Sequence, residues 1–389
     1  MNRFRGEYSQ LVSEKRESSV PIGLNPCAMN HVIKRVTLVN NRMRGKRLFV
    51  GPKKMLIVLT TSVSALTTGV SSTGDTYICL PIGTSCPTVG FGGQTSVDPR
   101  IVTPDDMCPP GYFPCYGIET QCGKRFVDPI NVNDGNADVG AHPWQAFLQN
   151  ATHPFSGSGA LLDNFHVLTA AHKVIGNRAT PNEIMVHMGV SDPNNFENTQ
   201  NSRVQEVLIH PSYNAETLLN DIAILRLESP IVFGIYNTIN KVCVPVFGQL
   251  FNGSSCMVSG WGQTSFTKDD APTNPQKQVT VEVVEPEVCR ESFSRPSLLG
   301  SNVDIFLDLV GEICAGGEVM KDACTQDGGS PLVCPDSAGQ LSVAGLVIWG
   351  KNCGQPGVYG VYVNVPYYSN WIDTTIESLN AKYGTMWSF

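Results

Sequence analysis

The chain has 389 residues, with 27 Lys and Arg against 34 Asp and Glu, and 13 cysteines. That length allows two or three domains and a sizeable core, and the cysteine count is high for a reducing compartment. Residues 1–54 carry 12 basic and 3 acidic side chains, a balance of +9, while the remainder sums to −16; the acidic body argues against nucleic acid and anionic membrane surfaces as partners.

The basic head lacks interleaved aromatic residues and leads into a stretch shaped like a secretory signal. Lys53 and Lys54 precede the apolar run from Met55 to Leu59, and small residues follow from Ala65 to Ser72. It is too short and too rich in Thr and Ser for a good membrane span. Residues 55–73 are therefore read as a signal peptide. Residues 1–54 are read as an extension whose origin is a gene-model artefact, with Met43 or Met55 as the true start. The rival reading is a signal anchor with a cytoplasmic basic head. Cys27 falls outside the mature chain if the signal is cut, and the other twelve cysteines all lie after residue 78.

Residues 74–122 hold Cys79, Cys86, Cys108, Cys115 and Cys122 among many Gly and Pro. Periodicity is weak there, so a loop-rich module stapled by disulfides is expected. A linker follows at 123–130. From residue 131 to 376 short apolar strands recur between turn residues, among them Ala160–Leu162, His166–Leu168, Glu183–Val186, Gln205–Ile209, Ile222–Leu225, Gln278–Val283 and Val343–Ile348. This pattern predicts an all-β sandwich or barrel. One helix closes the body, since Tyr368, Trp371, Ile372, Thr375, Ile376 and Leu379 repeat at three and four residues. Residues 377–389 are read as a tail.

Four motifs stand in a fixed order. They are Thr169-Ala170-Ala171-His172, Asn220-Asp221-Ile222-Ala223, Gly260-Trp261-Gly262 and the loop Asp322-Ala323-Cys324-Thr325-Gln326-Asp327-Gly328-Gly329-Ser330-Pro331. Trp349-Gly350 and Gly360-Val361-Tyr362 follow. Together they resemble the trypsin and chymotrypsin family, in the histidine, aspartate, nucleophile order of that family. The resemblance implies a double six-stranded β-barrel with a C-terminal helix. It also places Gly328 where the family has its serine nucleophile. Gly328 has no side chain, so no acyl-enzyme can form there. His172 and Asp221 are then remnants of a triad with nothing to deprotonate. Gln326 stands where a glycine helps bind the oxyanion. Ser330 could serve only if the tight loop shifted by two residues. Asp322, with Trp349, Gly350 and Gly360, matches the specificity pocket for basic side chains. No cofactor or metal is expected.

The resemblance also pairs Cys256 with Cys334, Cys289 with Cys314, Cys324 with Cys353, and Cys122 with Cys243. The family bridge beside the histidine is missing, and Gly157 and Lys173 stand at its two ends. The usual activation cut is absent too, because Asn131-Val132-Asn133-Asp134 replaces the usual new N-terminus; Asp327 is then expected to rest on backbone N–H groups or water. Residues 74–122 resemble the clip module of arthropod serine proteases, with fewer cysteines, two bridges being expected among Cys79, Cys86, Cys108 and Cys115. Non-catalytic clip homologues are cofactors of prophenoloxidase activation in haemolymph, so the partners implied are prophenoloxidase and active clip proteases. A trypsin-like cut between Arg100 and Ile101 is expected, with oligomerisation left open. Other readings are a binding or decoy module using Asp322, and a residual endopeptidase. Asn150 and Asn252 are glycosylation acceptors in a secreted chain.

Overall fold

The structure is a computed structural model and describes residues 67–71, 74–84, 86, 108–130, 133–151, 153–263, 272–323, 326–351 and 353–383. The chain divides into Met1–Ser62 and Val63–Phe389, and every described residue belongs to the second unit. The expectations for Cys27, Met43, Met55, Arg100, Ile101, Asn131, Val132 and Cys324 fall outside the described residues. No helix among those described is long and apolar enough to cross a membrane.

Six strands close the first barrel: Gln145–Gln149, Gly157–Leu161, His166–Thr169, Met185–Met188, Gln200–Ile209 and Ala223–Leu227. The strand Gln200–Ile209 shows why the sequence folds this way: Gln200, Ser202 and Val204 are buried while Asn201, Arg203 and Gln205 face out, the period of two that a half-buried strand requires. The second sheet has seven strands, in the order Glu312–Gly316, Tyr359–Asn364, Leu341–Gly350, Pro331–Pro335, Ser255–Gly260, Lys277–Glu282 and Gly135–Asn136. A single bridge between Val283 and Ala315 brings its ends together. The expected second six-stranded barrel is thus a seven-stranded, barrel-like sheet, because the short segment Gly135–Asn136 adds to the edge at Lys277–Gln278.

The closing helix spans Val365–Tyr383. Its buried face carries Tyr368, Ile372, Ile376 and Leu379, and it packs into a core shared with Leu168, Ile222 and Val343. The helix therefore continues past the boundary expected at residue 376, and Leu379 anchors that extra turn.

The cysteine-rich module is a three-stranded sheet of Thr68–Val70, Thr76–Pro81 and Tyr112–Tyr116. Its first strand lies inside the span read as a signal peptide, so a signal cut that keeps this strand falls at the Ala65 end of the small-residue stretch. Cys79 pairs with Cys108, and Cys86 with Cys115. The module rests on the first barrel, with Ile78 and Cys115 packed on Val232 and Ile235. Burying a side chain of this size contributes about 1.5–3 kcal/mol. Cys122 joins Cys243 and fixes the end of the module to the barrel. Arg125 continues the attachment by donating to the Ala141 carbonyl at 2.7 Å.

Candidate active site

His172 begins a short helix, Ala171–Val174, just after the strand His166–Thr169. Asp221 lies two residues before the start of the strand Ala223–Leu227, which pairs with the strand His166–Thr169. That register brings the two together. The Asp221 carboxylate is 1 % exposed and accepts from His172 Nδ1 at 2.5 Å and from the His172 backbone N–H at 2.7 Å. A carboxylate only accepts, so the proton sits on Nδ1 and Nε2 is left facing the next loop. That loop presents Gly328. A Cβ placed on Gly328 would lie 2.6 Å from His172 Nε2 and 2.9 Å from Lys173 Cδ. The imidazole and the lysine stem therefore fill the volume that a side chain at Gly328 would need.

Lys173 has a second neighbour. A Cβ on Gly157 would come within 2.5 Å of Lys173 Cε. The stem thus runs between Gly157 and Gly328, a long side chain laying its methylenes along buried surface. Burial lowers the Lys173 pKa, and the carboxylates of Asp327 and Asp221 oppose that shift. No sequence motif announces this packing; the paired replacement at Gly157 and Lys173 is its one trace.

The rest of the loop is held from behind. Asp327 accepts from the Gly262 N–H at 3.0 Å, as expected for a carboxylate resting on backbone donors. Ser330 is fully buried, and its hydroxyl lies against Gly260, whose Cβ would meet it at 2.8 Å. Ser330 N–H donates to the Asp327 carbonyl and its own carbonyl accepts from Val347, so the two-residue shift required for a substitute nucleophile does not occur. Gln326 adopts φ of 71°, a left-handed conformation that favours glycine, and its Oε1 is buried with no hydrogen-bond partner among the described residues.

Asp322 is only partly joined to the residues expected around it. Its Oδ2 accepts from the Gly354 N–H at 3.2 Å, while Oδ1 is buried without a partner among the described residues. Burial raises its pKa to about 6. A Cβ on Gly360 would lie 2.8 Å from Oδ1, so Gly360 is placed as expected. Gly350 is its direct cross-strand partner, and Trp349 is paired with Val361 beside it. The cavity that Asp322 lines, about 480 Å³ in volume, is shared with Asp327, Gln263, Lys277 and Asp134. The Trp349 ring packs on Phe293 and donates from Nε1 to Glu312 at 3.3 Å. Glu312 is buried, and desolvation raises its carboxyl pKa to about 8.

The remaining bridges join Cys256 to Cys334 and Cys289 to Cys314; Cys353 is also disulfide-bonded. Asn150 Oδ1 accepts from the His153 N–H at 2.7 Å. Asn252 donates to Glu285 at 2.6 Å.

The Trypsin family model matches residues 131–372. The chain belongs to the trypsin family. It is similar to an inactive CLIP domain-containing serine protease A3 of Aedes aegypti, 39% identical over 79% of this chain and 68% of that protein. An inactive CLIP domain-containing serine protease A8 of Anopheles gambiae is 33% identical over 67% of this chain and 73% of its own length. A phenoloxidase-activating factor 2 of Galleria mellonella is 34% identical over 66% of this chain and 88% of its own. Within the trypsin family, the chain is a non-catalytic clip-domain homologue. In this serine protease homologue His172, Asp221 and the Gly328 loop come together in that order, and the space beside Gly328 is filled by the His172 imidazole and the Lys173 stem.

Proposed function

We propose that this clip-domain homologue is secreted and acts as a cofactor or scaffold in an extracellular protease cascade, in prophenoloxidase activation. The carrying observation is Gly328 against His172: the base and its aspartate are assembled, and the residue facing Nε2 has no side chain to acylate. Loss of the nucleophile from such a triad costs roughly a millionfold in rate, so the fold is kept for binding. Two clip bridges and the Cys122–Cys243 bridge support an oxidising, extracellular setting. A cut between Arg100 and Ile101 is the activating event in this reading, with Asn150 and Asn252 as glycan sites.

The test is a reconstitution of purified prophenoloxidase, an active clip protease and this protein, either intact or cut at Arg100. Phenoloxidase activity should rise only with the cut form, and Arg100→Gln should abolish the rise. Equal activity with and without the homologue, after confirmed cleavage, would overturn the reading.

The unpartnered Oδ1 of Asp322, opening on a 480 Å³ cavity, favours a second reading as a decoy that holds a basic side chain. Benzamidine binding that disappears in Asp322→Ala would support it. Labelling of the pure protein by an active-site phosphonate would instead establish residual peptidase activity.

A further inference from the structure

A second cavity of about 440 Å³ lies on the first barrel where the C-terminal helix and the end of the clip module meet it. Its apolar lining includes Leu162, Phe165, Val242 and Ile376. The Cys122–Cys243 bridge forms part of its edge, so its two sides are covalently fixed to each other. Neither His172 nor any residue of the Gly328 loop contributes to it.

The polar edge is acidic. Glu119, Asp163 and Asp373 line it together with Lys241. Lys241 is already paired with Glu119 at 2.9 Å, and Asp163 is engaged by His166 at 2.8 Å and by backbone N–H groups. The Asp373 carboxylate has no hydrogen-bond or ion-pair partner among the described residues. Partial burial raises its carboxyl pKa, and the neighbouring Glu377 charge adds to the rise. A cation brought to this edge relieves both effects, and the apolar wall suits an uncharged side chain beside it.

We propose that this cavity is a docking site for a partner protein's peptide segment in which an Arg or Lys stands next to a large apolar residue. The apolar side chain packs on Leu162, Phe165 and Ile376, and the basic group pairs with Asp373. The site is separate from the triad remnant and from the Asp322 cavity. It therefore gives the scaffold a second contact that does not compete with either. It rests on the binding role proposed above but fails independently of it, because peptide binding is measured without prophenoloxidase.

Acetyl-Phe-Arg-amide is the probe, titrated by calorimetry into the full chain carrying Asp322→Ala, which removes the other carboxylate able to hold an arginine. Saturable binding is expected, weaker in high salt, and about tenfold weaker for acetyl-Phe-Gln-amide. Asp373→Lys, on an exposed helix position, should abolish binding of the Arg peptide and create binding of acetyl-Phe-Glu-amide. Asn380→Trp, which fills the cavity from its rim, should block both. Equal binding of the Arg and Gln peptides would overturn the proposal, as would indifference to Asp373→Lys in a variant that melts normally. Binding that appears only after deletion of residues 384–389 would show that the chain's own terminus is the occupant, and would overturn it as well.

Discussion

The stem of Lys173 lies directly in front of Gly328, its Cδ 2.9 Å from where any side chain at that position would begin. Two losses are therefore physically one. The bridge that would have ended at residue 173 is gone, the lysine that replaced it needs room, and the absent side chain at Gly328 supplies that room.

Gly328→Ser is accordingly expected to stay inert toward phosphonate labels and peptide substrates. It should also lose about 1–3 kcal/mol of stability through overpacking against His172 and Lys173. Adding Lys173→Ala should recover much of that loss. A double-mutant cycle in urea measures the coupling; strictly additive effects would show that the two residues do not compete for space.

Glu312 gives a pH signature. Its folded pKa of about 8 lies above the ordinary carboxylate value. Between those limits the unfolded chain binds fewer protons than the folded one, so this residue lowers stability as pH rises. His142 and His187, both held to about 4 by burial, act the opposite way but only below about pH 6.5, the ordinary histidine value. From pH 6.5 to 8 the Glu312 slope should dominate these contributions. Glu312→Gln should flatten it in chemical melts, and an unchanged slope would assign the dependence elsewhere.

Cleavage after Arg100 separates Cys79 and Cys86 from Cys108 and Cys115, and both pairs are bridged. The cut protein should run as one species without reductant and as two with it. The paired change Cys79→Ser and Cys108→Ser should leave that outcome intact, because the second bridge still spans the cut. Release of a fragment from the singly bridged variant would contradict the pairing.

The clip sheet should be tied mechanically to the barrel. A Cβ on Gly117 would meet Val232 Cγ1 at 2.8 Å and Thr76 Oγ1 at 3.0 Å. Gly117→Leu is expected to lift the sheet from Val232 and speed hydrogen exchange at Thr76–Pro81, while exchange in the strand Leu341–Gly350 stays slow. Ile78→Ala should act in the same direction, by about 2–4 kcal/mol. Unchanged exchange in both variants would mean the contact contributes nothing.

Much of this was legible in the sequence. Alternation in segments such as Gln205–Ile209 marked the barrel strands, and the family resemblance of the ordered motifs around His172, Asp221 and Gly328 carried the site. The periodic face already included Leu379, which the helix buries; only the domain boundary at residue 376 was drawn short of it. The lining of the Asp322 cavity was not legible. Gly350 pairs with Gly360 beside Asp322, but the Trp349 ring donates to Glu312, a partner that no local pattern announces. Lys173 was visible only as a missing cysteine; that its stem would fill the site depends on how three separate segments meet.

The bridge from Cys122 to Cys243 spans the linker that carries Lys124 and Arg125. A trypsin-like cut after either residue opens a loop without freeing the clip module, just as a cut after Arg100 does not divide the module itself. Proteolysis at these points changes which chain ends are exposed and how far segments can swing, yet every product travels as one covalent body. The two ends of a cut stay at the high local concentration of a single molecule, with no need to meet again after dilution.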